Sequence, residues 1–97
     1  MTREFPPDIY GGAGVHVDYL SRHLSETIKV EVRCFGKERQ DINKIKAYEP
    51  WSFLETGFDK RFSNVLSPLS VDLVMVKDEI TSDVIHCHTW YTFMAGF

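Results

Sequence analysis

The sequence predicts an α/β domain of the Rossmann-like, doubly wound kind, built on a parallel sheet. Three observations carry this. Ile28 to Phe35 alternates apolar and charged residues at period two, as a strand does. Val15 to Glu26 and Asp59 to Glu79 repeat apolar residues at three- and four-residue spacing, as helices do. The segments also follow one another in the order β-α-β-(β)-α-β-(α), which requires parallel strands, right-handed crossovers and helices on both faces.

Taken in order, Met1 to Phe5 reads as the end of a strand. Pro6-Pro7-Asp8-Ile9-Tyr10 is irregular, because two prolines remove donors and fix φ. Gly11-Gly12-Ala13-Gly14 leads into a helix whose stripe is Ala13, Val17, Leu20 and Leu24. In the strand that follows, Ile28, Val30, Val32 and Cys34 face one way, Lys29, Glu31 and Arg33 the other, and Gly36 ends it. Lys37 to Asn43 is expected to be a solvated, mixed-charge connector, and Ile45 to Tyr48 a short edge strand. Phe58, Phe62, Val65, Leu66, Leu69, Leu73 and Val76 then predict two helical pieces or one kinked helix, with Ser67 as an N-cap before Pro68. Asp83 to His88 is expected to be a short buried strand, and Trp90 to Phe97 the start of another helix.

The chain of 97 residues is one domain at most. With 43% hydrophobic residues and seven Phe, four Tyr and two Trp, it has the means to build a core, and its composition argues against disorder. A formal net charge of −3 argues against a nucleic-acid or acidic-membrane partner. No apolar run approaches the length of a membrane span, and no secretory leader opens the sequence. Two cysteines, Cys34 and Cys87, are too few for a disulfide framework and fit a reducing, cytoplasmic compartment. In the sheet order 3-2-1-4 the first strand would separate them by roughly 9 to 10 Å, so no bond between them is expected. There is no internal repeat and no low-complexity tract. Two features read as those of part of a longer polypeptide, with Met1 an internal methionine: the first strand lacks its upstream half, and the last helix has no return strand.

Glycines at a strand-to-helix junction suggest phosphate binding, since amides at a helix start favour an anion. The dinucleotide fingerprint fails, however: Val17 stands where the third glycine belongs, and no carboxylate follows Phe35 to hold a ribose. The Gly-Lys-Ser/Thr of a P-loop is absent too. The alternative is that these glycines only ease a sharp turn.

His86-Cys87-His88-Thr89-Trp90 falls at the carboxyl end of a predicted strand, where open α/β sheets place their ligand sites. His86 and His88 share a face. Cys87 points the other way, and the three or four ligands of a zinc site are not assembled. His86 reads best as a hydrogen-bonded packing residue, and His88, nearer the loop, as the functional candidate. His16, near a helix start, can reach such a site, whereas His23 belongs to the surface. No Gly-x-Ser-x-Gly is present for a serine triad, and Cys87 on a strand reads as inert packing rather than a nucleophile.

Two segments together resemble the N-terminal domain of GT-B glycosyltransferases, especially the glycogen and starch synthases. They are Thr2-Arg-Glu-Phe-Pro-Pro-Asp-Ile-Tyr-Gly-Gly-Ala-Gly-Val-His16 and Asp83-Val-Ile-His-Cys-His-Thr-Trp-Tyr91, the latter followed by Ala95-Gly96. The resemblance spans essentially the whole chain. It implies that residues 1–97 form part of the N-terminal Rossmann-like domain of a two-domain enzyme, without the C-terminal domain that holds the donor nucleotide. It further implies a retaining transfer of glucose from ADP-glucose or UDP-glucose to an α-1,4-glucan. The loop facing the donor's diphosphate corresponds to Gly11, Gly12 and Gly14, and the active-site histidine to His88. Tyr10, His16, Trp90 and Tyr91 become candidate acceptor or sugar contacts. Neither a metal nor a cofactor beyond the nucleotide sugar is implied, because amides, helix dipoles and basic side chains can neutralise a leaving diphosphate. Many starch synthases carry histidine where this chain has Tyr91, and a lysine-containing loop where it has Tyr10-Gly11-Gly12. Those departures point to a more divergent branch. A sucrose- or trehalose-synthase type of transferase, and a non-catalytic sugar- or nucleotide-binding α/β module, are the rival readings. On its own the chain is expected to be inactive.

Overall fold

Strand β1 (Glu31–Phe35) pairs in parallel with β2 (Lys44–Tyr48), Glu31 lying opposite Lys44 and Phe35 opposite Tyr48. The computed structural model describes residues 1–41, 43–52 and 59–97. On the far side of β1, Thr2 forms parallel bridges to both Cys34 and His88. The order across the sheet is therefore β2, β1, the segment at Met1–Thr2, and the segment ending at His88, the 3-2-1-4 arrangement. Thr2 N–H donates to the Arg33 carbonyl at 2.9 Å, the Met1 nitrogen to the His86 carbonyl at 2.6 Å, and His88 N–H to the Met1 carbonyl at 2.9 Å. Both cysteines are free.

Helices cover both faces. Helix α1 (Gly12–Ser25) closes one core around Phe5, Val17, Val32 and Cys34, with Val30, Ile45 and Ala47 against it. Helix α2 (Lys60–Lys77) and a 3-10 turn (Trp90–Thr92) leading into the short α3 (Phe93–Gly96) close the other, around Tyr48, Val71, Met75 and Ala95. This is a small Rossmann-like α/β fold.

Several expectations are corrected in detail. The buried stripe of α1 is Gly14, Val17 and Ser21, not Ala13, Leu20 and Leu24, because the two small residues let the helix approach the sheet. Ser21 satisfies its hydroxyl on the Asp18 carbonyl at 2.9 Å, so its burial leaves that donor paired. The second helix is continuous through Pro68 and is capped by Asp59, whose carboxylate accepts the Arg61 N–H at 3.0 Å; Ser67 is interior, not a cap. Its buried residues are Pro68, Ser70, Val71, Asp72 and Met75, while Phe62, Val65, Leu73 and Val76 are exposed. Apolar residues girdle this helix, so spacing alone cannot choose the inward face. Phe58 lies outside the described residues.

The strand expected from Ile28 begins only at Glu31, and Ile28 is exposed. The segment expected as a buried strand from Asp83 makes its single bridge at His88, and Val84 is 80% exposed. Its one neighbour in the sheet is the Met1–Thr2 pair, too short to carry a ladder back to residue 83. A cleft of about 660 Å³ lies between this segment, β1 and α1.

The described residues between β1 and β2 (36–41 and 43) are not a merely solvated connector. Eight residues suffice to return the chain to a parallel partner, because eight extended residues reach roughly 26 Å and a five-residue strand spans about 17 Å. Gly36 turns at φ +103, a conformation that favours glycine. Arg39 then donates to the carbonyls of Phe5, Pro6 and Phe35 at 2.8 to 2.9 Å and pairs with Asp8 at 3.0 Å. Asp41 pairs with Arg22 of α1 at 3.0 Å, and Asn43 is buried.

Arg33, on the charged side of the strand, is 4% exposed. Its guanidinium donates to the carbonyls of Met75, Asp78 and Glu79 at 3.3, 3.4 and 2.7 Å, and to Glu31 at 2.8 Å. It thereby serves carbonyls at and just beyond the end of α2, of which Met75 also accepts the Asp78 N–H at 3.2 Å, and a cation there is favoured by the helix dipole. Replacing Arg33 with Met should destabilise the fold by about 3 kcal/mol, since one buried and two partly buried carbonyls and Glu31 lose a charged donor. Urea unfolding of the two chains reads this directly. A change below about 0.5 kcal/mol would mean that Arg33 contributes only surface pairing.

Candidate active site at the carboxyl ends of the strands

Phe5, Gly36 and His88 mark the carboxyl ends of neighbouring strand segments, and the chain leaves the sheet there through the glycine loop and the 89–92 turn. His88 is held at both backbone ends: its N–H bonds the Met1 carbonyl, and its carbonyl accepts the Thr92 hydroxyl at 3.3 Å. Its ring stacks on His86 at 4.1 Å between centroids and meets the edge of His16 at 5.9 Å. Burial lowers the His88 pKa, and His86, the Met1 ammonium and His16 lower it further, to about 4. His88 is thus a neutral imidazole at physiological pH, able both to donate and to accept a hydrogen bond.

The residue after it is strained. Thr89 sits at φ 68, ψ 160, backbone space that is nearly the preserve of glycine, and such strain collects at functional sites. Beyond it the Trp90 and Tyr91 rings lie 4.1 Å apart, and the Arg3 guanidinium lies 4.3 Å over the Tyr91 ring. Trp90 and Tyr10 are exposed.

The glycines are not equivalent. A Cβ on Gly14 would lie 2.9 Å from the Glu4 Cβ and 3.1 Å from Ile9, so packing explains this glycine. A Cβ on Gly11 or Gly12 would meet nothing within 4 Å. Gly11 is extended at φ −168, open to any residue. The Glu4 carboxylate accepts the Tyr10 and Gly11 N–H groups at 3.1 and 3.0 Å, and α1 has no side-chain cap from Gly11.

The structure therefore brings His16, His86 and His88 together, and Trp90 and Tyr91 together, each beside the strand ends. Sequence reading passed over Arg3 and Glu4, although both stand in the first motif. Their one visible signal is that two charged residues sit where a strand ends against a double proline. Among the described residues, no group of three or more His, Cys, Asp or Glu is placed to hold a metal ion. No described helix is long and apolar enough to cross a membrane.

An α/β layer with its histidine and glycine loop at the carboxyl ends of the strands defines a ligand-binding class of fold. A family model, Glycosyltransferase Family 4, matches residues 10–97. The chain is 43% identical over 96 residues to alpha-maltose-1-phosphate synthase of Mycobacterium tuberculosis strain H37Rv. It is 42% identical over 97 residues to the protein of that name from Mycolicibacterium smegmatis. Each match covers 99% of this chain, which spans 23% of the length of those relatives. The chain belongs to Glycosyltransferase Family 4, with the GT-B type of Rossmann-like fold that its two motifs resemble.

Asp72 of α2 faces the Met94 and Ala95 amides of α3, is 1% exposed, and leaves its Oδ1 without a partner; burial raises its pKa to about 6. A depressed histidine pKa contributes full stability above pH 6.5, lost as pH falls toward 4; a raised carboxyl pKa does the reverse, its stability present below about 3.9 and lost as pH rises through 6. Relative to the parent chain, Asp72→Asn should therefore gain melting temperature from pH 4 to 6, and His88→Asn should lose the acid-side penalty. Parallel melting curves for all three chains would refute both assignments. Separately, Thr89→Gly should stabilise by about 1 kcal/mol through relief of the strained backbone, read as a higher denaturation midpoint.

Proposed function

We propose that this chain is the acceptor-side part of a retaining glucosyltransferase that uses a nucleotide sugar, ADP-glucose or UDP-glucose, in a cytoplasmic setting. A second, C-terminal domain would hold the donor's nucleotide, and residues 1–97 would be part of the first. The observation that carries this reading is a neutral, backbone-anchored His88 at the strand ends, in a chain whose glycine loop leaves two glycines open to an approaching group.

In this reading His88 hydrogen-bonds a hydroxyl of the transferred sugar. Gly12, at the first turn of α1, lets the donor's diphosphate come close to the backbone, where amides and the helix dipole favour it. Gly11 supports the same approach by its small size, because its N–H is already bonded to Glu4. Gly14 contributes by allowing the loop to pack. Tyr10, Trp90 and Tyr91 offer exposed or partly exposed ring surface on which a sugar can lie, and His16 borders the imidazole. The proposal contains no metal and no cofactor.

Two acceptors suit this arrangement. The name of the relatives favours a product of the α-maltose 1-phosphate kind, which would arise here by transfer of glucose to α-glucose 1-phosphate. The motif resemblance to glycogen synthases favours the end of an α-1,4-glucan. The intact cellular polypeptide carrying this sequence, incubated with ADP-glucose or UDP-glucose and each acceptor in turn, should give a new glucosidic product by mass spectrometry. Absence of product with every pair would overturn the enzymatic reading and leave a binding module.

His88→Ala in that polypeptide should lower kcat by about a hundredfold, the scale of a lost transition-state hydrogen bond in a closed site. Gly12→Val should raise KM for the nucleotide sugar while leaving the melting temperature unchanged, since its Cβ meets open space. Gly14→Val should instead destabilise, by about 1 to 3 kcal/mol of overpacking. Equal effects of the two glycine variants on stability would remove the distinction.

A further inference from the structure

The helix that begins the candidate site is not capped by its own N-cap residue: Gly11 has no side chain to offer. The cap comes from seven residues away. One oxygen of Glu4, Oε2, accepts both the Tyr10 and the Gly11 N–H, at 3.1 and 3.0 Å. Gly14, one turn into the helix, lies so close to Glu4 that any side chain there would press on it. Among the described residues no Lys, Arg or His forms an ion pair with Glu4, so two amides and the positive end of α1 are the groups that balance its charge.

We propose that Glu4 is the positioning residue of the glycine loop: its carboxylate fixes the course of residues 10–12 and, through them, the affinity for the nucleotide sugar. This rests on the donor reading of that loop. The physical reason is preorganisation. The loop contains two glycines with no packing constraint at Cβ, and an unrestrained glycine pair has the largest conformational freedom of any dipeptide. Two charge-assisted bonds to one oxygen remove that freedom before the ligand arrives, so binding need not supply the ordering. The same bonds decide which amides a ligand can use: Tyr10 and Gly11 are taken, and the free donors are those that follow in the first turn of α1.

Two variants separate the bonds from the charge. Glu4→Gln keeps shape and one carbonyl oxygen but loses the charge. Glu4→Asp keeps the charge and is one methylene too short to reach both amides.

The first readout is the 97-residue chain in an acid titration followed by ¹⁵N–¹H spectra, with no ligand present. The Tyr10 and Gly11 amide signals should share one pH step in the parent chain, and the step should vanish in Glu4→Gln while the rest of the spectrum stays dispersed. The second is turnover of ADP-glucose and UDP-glucose by the intact cellular polypeptide. Both variants should raise the donor KM about tenfold or more, with kcat changed far less, as expected when a group acts on ground-state order and not on the reacting atoms. A common pH step together with that KM increase supports the proposal.

Absence of the pH step overturns it, because the carboxylate is then not on those amides. A pH step with unchanged KM in both variants also overturns it, since the cap would then have no bearing on the donor. Wild-type-like KM in Glu4→Asp alone overturns it as well, because charge and not the paired bonds would then suffice. If the parent polypeptide turns over neither nucleotide sugar, the donor reading itself fails, and the role of Glu4 in donor affinity fails with it; the amide titration still decides whether Glu4 holds the loop.

Discussion

Everything at the candidate site depends on one narrow seam, the pairing of Met1 and Thr2 between β1 and the segment ending at His88. Thr2 is 3% exposed and bridges both neighbours, giving its N–H to Arg33 while Met1 gives its carbonyl to His88. Among the described residues the 86–88 segment has no other strand beside it. The position of the His88 ring is consequently set by two residues of backbone, reinforced at the other end by the Thr92 hydroxyl. The short stretch at the start of the chain also joins the two cores, since Met1 packs with the α2 side and Phe5 with the α1 side. A seam this short explains why the segment frays upstream, leaving Val84 exposed beside an open cleft.

A second constraint is the large number of backbone ends in so small a structure. Strands of five residues and a helix of four leave many N–H and C=O groups outside any ladder. Charged side chains from neighbouring elements take them up. Arg33 of β1 serves the end of α2, Arg39 of the connector serves Phe5, Pro6 and Phe35, and Glu4 serves the entry to α1. Asp78 follows the same logic at a corner, where it accepts from Lys46 and from the Tyr48 hydroxyl at 3.0 and 2.7 Å. These tertiary caps couple elements that share little apolar contact, so the fold is knitted at its ends as much as at its cores.

That distinction governs what could be read in advance. Element order, the parallel pairing of β1 with β2 and the shared face of His86 and His88 follow from periodicity and turn residues, which are local. The inward faces of α1 and α2 do not. Ser21 and Gly14 are chosen by how closely a helix approaches its sheet, and Asp72 and Met75 by which neighbours they meet; neither fact is written in spacing. Arg33 occupies a position that alternation assigns to solvent, yet α2 covers that face and its carbonyl ends need a cation. Glu4 and Arg3 were invisible for the same reason, because their partners lie 6 to 88 residues away in sequence. The two motifs could be recognised, but the roles of the charged residues within them could not.

The electrostatics of His88 then bear on how a nucleotide sugar could be accommodated. A protonated imidazole at the strand ends would attract the donor's diphosphate and hold it away from the glycine loop. With its pKa lowered to about 4 by burial first and by its basic neighbours second, His88 presents no such charge at neutral pH. The competition for phosphate would then be left to the start of α1, where the amides not taken by Glu4 and the helix dipole act. His88 is free to recognise a hydroxyl, which asks for direction and not for charge. On the proposed reaction, the separation of a neutral sugar-facing imidazole from an amide-lined loop is what would orient the donor, sugar toward the histidine and phosphate toward the helix.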